Sequence, residues 1–423
     1  MKRHRAQSGT SRRRGLLGRI LIDIFHFKIT RQGWVLIISL IATVPVGMTT
    51  MQLPIYNVLV ALACFLGISE VASVIFWPRC KVEGQLPEKL VAGRTTKVDF
   101  TLKNSWLLPA YDLSVGFFGL PASVREIDAG KTVRCLGRGQ SAIVPVELQA
   151  LRRGLYTFGG PRYYTTFPFN LTRSGSRAKG PCRITVLPAY HPISLANLPI
   201  RSRYQPGGIL FTSNIGESCE YIGNREYRPG DPMRRIDYRS WARLARPVVR
   251  EYQEEYYCRV ALVLDTYVPH GRRKGPGGFV DLEAAVSLGA SVAEAISHGE
   301  YLLDIFAAGP ELYVFRSGRH LSHLDNVMEI LAGVQECRQN PFTVVAPALA
   351  GELVNISTVI FILLDWDESR RDLVRQAAEC GCAVKTIVIH KGKTSLPIDT
   401  DSAGLGVTLL TPQQVQAGEL NLS

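Results

Sequence analysis

The sequence predicts a multidomain chain: an N-terminal transmembrane helical hairpin, then a β-sandwich, then an α/β domain of Rossmann type built on a mainly parallel sheet. Three observations carry this. Two apolar runs, residues 34–51 and 55–77, stand close together near the amino terminus with Glu70 as their one charged residue. Short alternating apolar runs broken by turn residues fill residues 79–190. Buried-type strands alternating with amphipathic helical stretches fill residues 258–423. A chain of 423 residues has the length for two or three domains with sizeable cores.

The formal charge of +13 is unevenly placed. Lys2, Arg3, Arg5, Arg12, Arg13, Arg14, Arg19, Lys28 and Arg31 face Asp23 alone within residues 1–31, so 9 − 1 = +8 of the excess sits in this arm. A basic arm before an apolar run favours the anionic cytoplasmic leaflet, at about 1 kcal/mol per Lys or Arg. Membrane, not nucleic acid, is the partner this pattern implies.

Each apolar run is long enough as a helix for the ~30 Å hydrocarbon core. The uncharged link with Pro54 suits a tight hairpin. Lys28 and Arg31 before the pair and Arg79 and Lys81 after it put both ends in the cytoplasm, which gives a two-span, multi-pass protein of the cell (inner) membrane. Trp34 and Trp77 then share the cytoplasmic interface, Glu70 snorkels toward it, and Pro45 kinks the first span. No A-x-A site follows the first run, which argues against a cleaved signal peptide. The nine cysteines are scattered without a CxxC pair and read as reduced cytoplasmic thiols; Cys380 and Cys382 read as small buried thiols, not metal ligands.

In residues 79–190 period two is explicit. Val98, Phe100 and Leu102 share one face, as do Leu113, Val115 and Phe117, and again Val144, Val146 and Leu148. Breaks at a spacing of roughly 8 to 12 residues predict an antiparallel sandwich. A turn at Arg153–Gly154 and an aromatic-rich hairpin follow. The segment carries no acid pair, metal cluster or nucleophile–base set, and reads as a binding or spacer domain.

From residue 258 the pattern is strand (RVALVLDT), helix (residues 280–297), two strands paired across Gly309–Pro310, helix, strand (STVIFILLDWD), helix and strand (AVKTIVIH). Ligands of such sheets bind at the carboxyl ends of the strands, where Asp265, Asp365 and Asp367 fall. This arrangement resembles the von Willebrand factor A fold. That resemblance implies a metal site on a D-x-S-x-S loop, but here Tyr267 and Pro269 replace both serines. Asp265 alone falls short of the six oxygens a hard cation wants. Asp265 is therefore a weak metal candidate, bonding to neighbouring backbone N–H groups is the preferred reading, and no cofactor is expected, with Mg²⁺ the alternative. The loop HGRRKGPGGF (residues 270–279) has glycines and Arg272, Arg273 and Lys274 for a phosphate, yet lacks the phosphate-loop order and reads as surface.

Between the domains, residues 191–257 hold a linker and the stretch NREYRPGDPMRRIDYRSWARLARPVVREYQEE, residues 224–255. Its turn at Gly230–Asp231 lets Asp231 take its own amides, and Asp237 and Glu226 are placed for bidentate arginine bonds. Interleaved acids favour a self-paired lattice over a nucleic-acid face. The stretch resembles the signature of the bacterial domain of unknown function 58 family, through Arg225, Glu226, Tyr227, Gly230, Asp231, Arg234 or Arg235, Ile236, Asp237, Ala242 and Arg243, continued by Val249, Arg250, Glu251 and Glu255; Tyr238 and Trp241 depart from it. The resemblance implies partnership with a MoxR-type AAA+ ATPase, often beside a transglutaminase-like membrane protein, and makes these residues the possible docking site. No histidine, cysteine or serine sits in a catalytic motif; His320 and His323 read as a solvated helix face. The expected function is a non-enzymatic, membrane-anchored adaptor that binds proteins. The alternatives are a divalent-metal-dependent ligand binder and a cell-envelope hydrolase.

Overall fold

A computed structural model describes residues 27–50, 53–128, 131–178, 180–194, 210–231, 233–256, 258–299, 301–308, 312–316, 323–398 and 406–420. The basic arm before Phe27, the Gly309–Pro310 turn and His320 lie outside them. The chain divides into two compact units, residues 1–151 with 156–184, and residues 152–155 with 185–423.

The first unit opens with helices α1 (Arg31–Thr50) and α2 (Leu53–Ile75). Among the described residues, Tyr56–Ile75 is the one helix long and apolar enough to cross a membrane, and Arg31–Pro45 is a shorter apolar stretch. The antiparallel strands β1 (Cys80–Glu83), β3 (Thr95–Asn104), β5 (Val124–Asp128) and β7 (Ser141–Ala150) form one sheet in the order β1-β3-β7-β5. A second sheet runs β10-β9-β4-β6, from β4 (Ala110–Gly116), β6 (Val133–Leu136), β9 (Arg162–Thr165) and β10 (Ser174–Arg177). Three further strands, β2 (Lys89–Val91), β8 (Gly154–Gly159) and β11 (Pro181–Leu187), make a third.

All three alternating faces expected from the sequence are buried. Val98 pairs with Val146 and Phe100 with Val144, so side chains of two strands meet on one side of the sheet. Phe100 meets Phe117 edge to face at 6.0 Å, and Phe117 meets Phe158 at 5.7 Å, joining the sheets through one core.

The second unit holds a two-stranded antiparallel ribbon, β12 (Leu210–Glu226) with β13 (Val248–Tyr256), and a six-stranded sheet. The sheet strands are β14 (Cys258–Leu264), β15 (Tyr301–Ala308), β16 (Leu312–Arg316), β17 (Thr358–Leu363), β18 (Ala383–Ile389) and β19 (Val407–Leu410), in the order β16-β15-β14-β17-β18-β19. Every pairing is parallel except β15 with β16. The strand order reverses at β14, so the carboxyl ends of β14 and β17 flank the crevice that binds ligands in doubly wound sheets.

Burial on both sides follows from the continuous apolar strands. On one face Leu262, Leu264, Ile305 and Ile362 pack against the long helix α4 (Val280–Ser297) and α5 (His323–Gly333). On the other, Val263, Phe306, Phe361 and Leu363 meet α6 (Phe342–Ala350) and α7 (Glu368–Glu379). The helix α6, the strand β19 and a final helix α8 (Pro412–Ala417) are additions to the sequence expectation.

Candidate functional site

The arginine-rich stretch folds as a strap between β12 and β13. Asn224, Arg225 and Glu226 pair with Arg250, Val249 and Val248, and the intervening residues form a turn, a 3₁₀ turn (Met233–Arg235) and the seven-residue helix α3 (Tyr238–Leu244). Tyr227 closes the ribbon by donating its N–H to the Pro247 carbonyl at 3.0 Å. Gly230 sits at φ +105°, a conformation that only glycine takes without strain, and it lets the chain reverse before Asp231.

Two carboxylates organise the strap. Asp231 accepts a fork from Arg225, at 2.7 Å to Oδ2 and 2.8 Å to Oδ1, and a third bond from the Arg228 backbone N–H at 2.8 Å. The guanidinium of Arg225 also pairs with Glu251 through Nε at 2.6 Å. Asp237 is the N-cap of the short helix, taking the N–H groups of Arg239 at 3.2 Å and Ser240 at 3.4 Å, the Ser240 hydroxyl at 2.8 Å and the Asn224 amide at 3.2 Å. Arg250 approaches Asp237 at 3.4 Å through one nitrogen, and Glu226 pairs with Arg246. The bidentate bond thus falls on Asp231, not on Asp237 or Glu226 as the sequence suggested, because the cap geometry already uses Asp237.

The charge-assisted fork from Arg225 and the Arg228 amide hold the Asp231 carboxyl at about 2, from an ordinary 3.8. The Ser240 hydroxyl, with Asn224, pulls Asp237 lower still. A folded-state value below the unfolded one means the Asp231 pairing contributes fully above pH 3.8 and is lost as pH falls through about 2. Hydrogen exchange of the Arg228 amide, which donates to Asp231, is expected to accelerate over that acid window in the parent chain. Asp231→Asn, having no proton to gain, is expected to show no such step; an identical acid step in both proteins contradicts the assignment.

With its acids satisfied internally, the strap turns its remaining groups outward. None of the residues in the short helix is buried. Tyr238 and Trp241 stack at 6.1 Å with an interplanar angle of 23°, and Met233, Tyr238, Trp241 and Leu244 are all exposed. Three residues apart, Tyr238, Trp241 and Leu244 line adjoining positions on one face. Arg239 and Arg243 lie on the other. Arg234 and Arg235 form the preceding 3₁₀ turn. In the sequence Tyr238 and Trp241 stand out as departures from a motif, and two aromatics at i and i+3 in a polar segment are the signal of an outward apolar face.

The sheet edge forms a second, closed cluster. Asp265, fully buried, accepts the Tyr267 N–H at 2.9 Å on Oδ1 and the Leu364 N–H at 3.0 Å on Oδ2. Oδ2 also receives Nε and Nη2 of Arg370 at 2.9 and 2.7 Å. Asp367 caps α7 through the Arg370 N–H at 2.9 Å and pairs with the same guanidinium, which lies 4.9 Å from the Phe342 ring centroid. Burial disfavours the charge on Arg370, and the Asp265 carboxylate outweighs it and raises its pKa. Asp365 is bound separately by the Trp366 and Ser395 N–H groups. A divalent cation at Asp265 would have to displace Arg370 from the carboxylate, and Pro269 has no side-chain oxygen to offer, so the donor set fits a metal poorly. Among the described residues no group of three His, Cys, Asp or Glu is placed to hold one. Arg370 escaped the sequence reading, although a lone arginine on the stripe of Leu373, Val374 and Ala377 pointed to a buried acid. In the glycine-rich loop, Arg272 pairs with Asp281 and Lys274 with Glu336, so both cations are engaged by the protein itself.

Both clusters fall within one family match. Residues 223–390 match the family described as protein of unknown function DUF58. The match supports the DUF58 family and takes in both the strap and the closed acid–arginine cluster. No curated protein matches the sequence. Similar solved structures share low identity and low TM-scores with the chain. Native alpha-2-macroglobulin from Escherichia coli is 16% identical over 30% of this chain and 8% of its own length, with a TM-score of 0.21. The CARDB domain of PF1109 from Pyrococcus furiosus is 12% identical over 26% of this chain and 95% of its own, at 0.18. The VesB protease of Vibrio cholerae is 17% identical over 25% and 30%, at 0.16.

Proposed function

We propose that the protein is a non-enzymatic, membrane-anchored adaptor that binds other proteins through its strap and works with a MoxR-type AAA+ ATPase, in some settings beside a transglutaminase-like membrane protein. In this reading both α1 and α2 cross the inner membrane as a hairpin, both termini are cytoplasmic, and the six-stranded domain is of von Willebrand factor A type. The observation that carries it is the outward face of Tyr238, Trp241 and Leu244 beside Met233, mounted on a scaffold whose acids are spent on its own arginines. Aromatic and arginine side chains of this kind are the usual anchors of protein interfaces. The apolar helix Tyr56–Ile75 supports membrane anchoring, and the DUF58 match takes in the strap.

The test is cross-linking and capture from solubilised membranes, comparing the parent chain with Tyr238→Ala/Trp241→Ala. Anchor residues of an interface are worth about 2 kcal/mol or more, so the double variant is expected to weaken capture of an AAA+ ATPase by roughly thirtyfold. Recovery of no AAA+ protein by the parent, or equal recovery by the variant, sinks the proposal. A reporter fused at Ser423 checks the topology, and a signal from outside the membrane contradicts it.

A further inference from the structure

The loop joining β9 to β10, residues 166–173, carries Phe167, Phe169 and Leu171 at the tip of a hairpin within the first unit. It is wedged against both N-terminal helices. Thr30, just before α1, donates its N–H to the Leu171 carbonyl at 3.1 Å and its hydroxyl to the Asn170 carbonyl at 2.6 Å. Gly33 leaves room for this contact, since a Cβ there would stand 2.2 Å from the Leu171 oxygen. On α2, Ser73 bonds Ser174, and the Phe169 ring meets Phe65 at 5.0 Å.

The depth of that last contact is informative. Phe65 precedes Ile75 by ten residues, which at 1.5 Å per residue is about 15 Å along the helix. Over the same turns the flank of α2 next to Phe65 stays apolar and uncovered: Ile68 is 59%, Val71 61% and Ile75 58% exposed. Such a surface belongs in hydrocarbon, and lipid that covers it at the depth of Phe65 also reaches the hairpin tip that touches Phe65. Phe169 is itself 40% exposed. The ion pair between Lys28 and Glu70 lies one to two turns closer to the helix end than Phe65.

We infer that the 167–171 hairpin tip is a monotopic membrane insertion, with Phe169 seated among lipid acyl chains alongside Phe65. The occupant is the bilayer, chosen by continuity of the tip with the exposed apolar side of α2, and the inference rests on residues 56–75 crossing that bilayer. It adds an anchor from the sheet domain to the one supplied by the helices, and fixes the orientation of that domain against the membrane surface.

The experiment reconstitutes the full chain in nanodiscs of phosphatidylethanolamine and phosphatidylglycerol, with and without bromine on the acyl chains. Tryptophan is placed at Phe169→Trp, at Val60→Trp in the helix, and at Ile143→Trp on the exposed sheet face, each compared with the parent so that native tryptophans cancel. Roughly half the added emission is expected to be lost to brominated lipid at positions 169 and 60, both within a ~30 Å core, and little at position 143. The unmodified chain gives a second readout, as a diazirine-bearing lipid is expected to label the peptide around Phe169. Quenching at position 60 without quenching or labelling at 169 overturns the insertion and leaves the anchor intact. Absence at both positions overturns the two together.

Discussion

Arg370→Ala is expected to destabilise the six-stranded domain by about 3–5 kcal/mol, because it leaves a buried carboxylate without its counter-charge. Asp265 is fully buried and Arg370 nearly so. Two of the bonds to Asp265 Oδ2 come from that one guanidinium, and Asp367 loses its partner as well. The remaining donors, Tyr267 and Leu364 N–H, bind Asp265 but carry no charge. Arg370→Lys is expected to recover little, since a point ammonium cannot reproduce the planar fork that reaches Asp265 and Asp367 at once. The paired replacement Asp265→Leu/Arg370→Met removes both charges and is expected to cost less than Arg370→Ala alone. Denaturant unfolding of the four proteins checks the order. A single variant within about 0.5 kcal/mol of the parent, the range of an ordinary surface change, refutes the assignment of a buried pair.

Phe100→Ala is the second large effect, at about 3–5 kcal/mol on the sheet unit. Phe100 is 1% exposed, stands between Val98 and Leu102 on the inner face of β3, and meets Phe117 across the core. Truncation removes the ring's transfer energy and leaves a cavity that the cross-strand partner Val144, held by its own backbone register, cannot close. Phe100→Leu keeps most of the volume and is expected to lose less than half as much. Thermal unfolding followed by near-ultraviolet circular dichroism distinguishes the two. Equal losses for both variants exclude the cavity explanation.

Legibility from sequence differed by element for physical reasons. Alternation in 98–102, 113–117 and 144–148 identified buried faces because a strand's side chains must alternate, whatever its neighbours. The helix at 280–297 was legible to its ends because its apolar stripe is long. The helix at 342–350 was not, since FTVVAPALA is apolar all round and has a proline inside, so period and composition gave no helical signal. At the strap, residue types announced an acid–arginine lattice, but which arginine met which acid depended on the ribbon register that sets Arg225 beside both Asp231 and Glu251.

The sequence by itself determined the apolar helix, the alternating sheets, the βα repeat and the loss of serines after Asp265, because each is a local pattern enforced by backbone geometry or by side-chain chemistry. Only the tertiary structure decided that Arg370, 105 residues from Asp265, supplies that acid's counter-charge. Such pairings are set by which strand ends and helix starts are brought together, and the chain carries no short-range record of that.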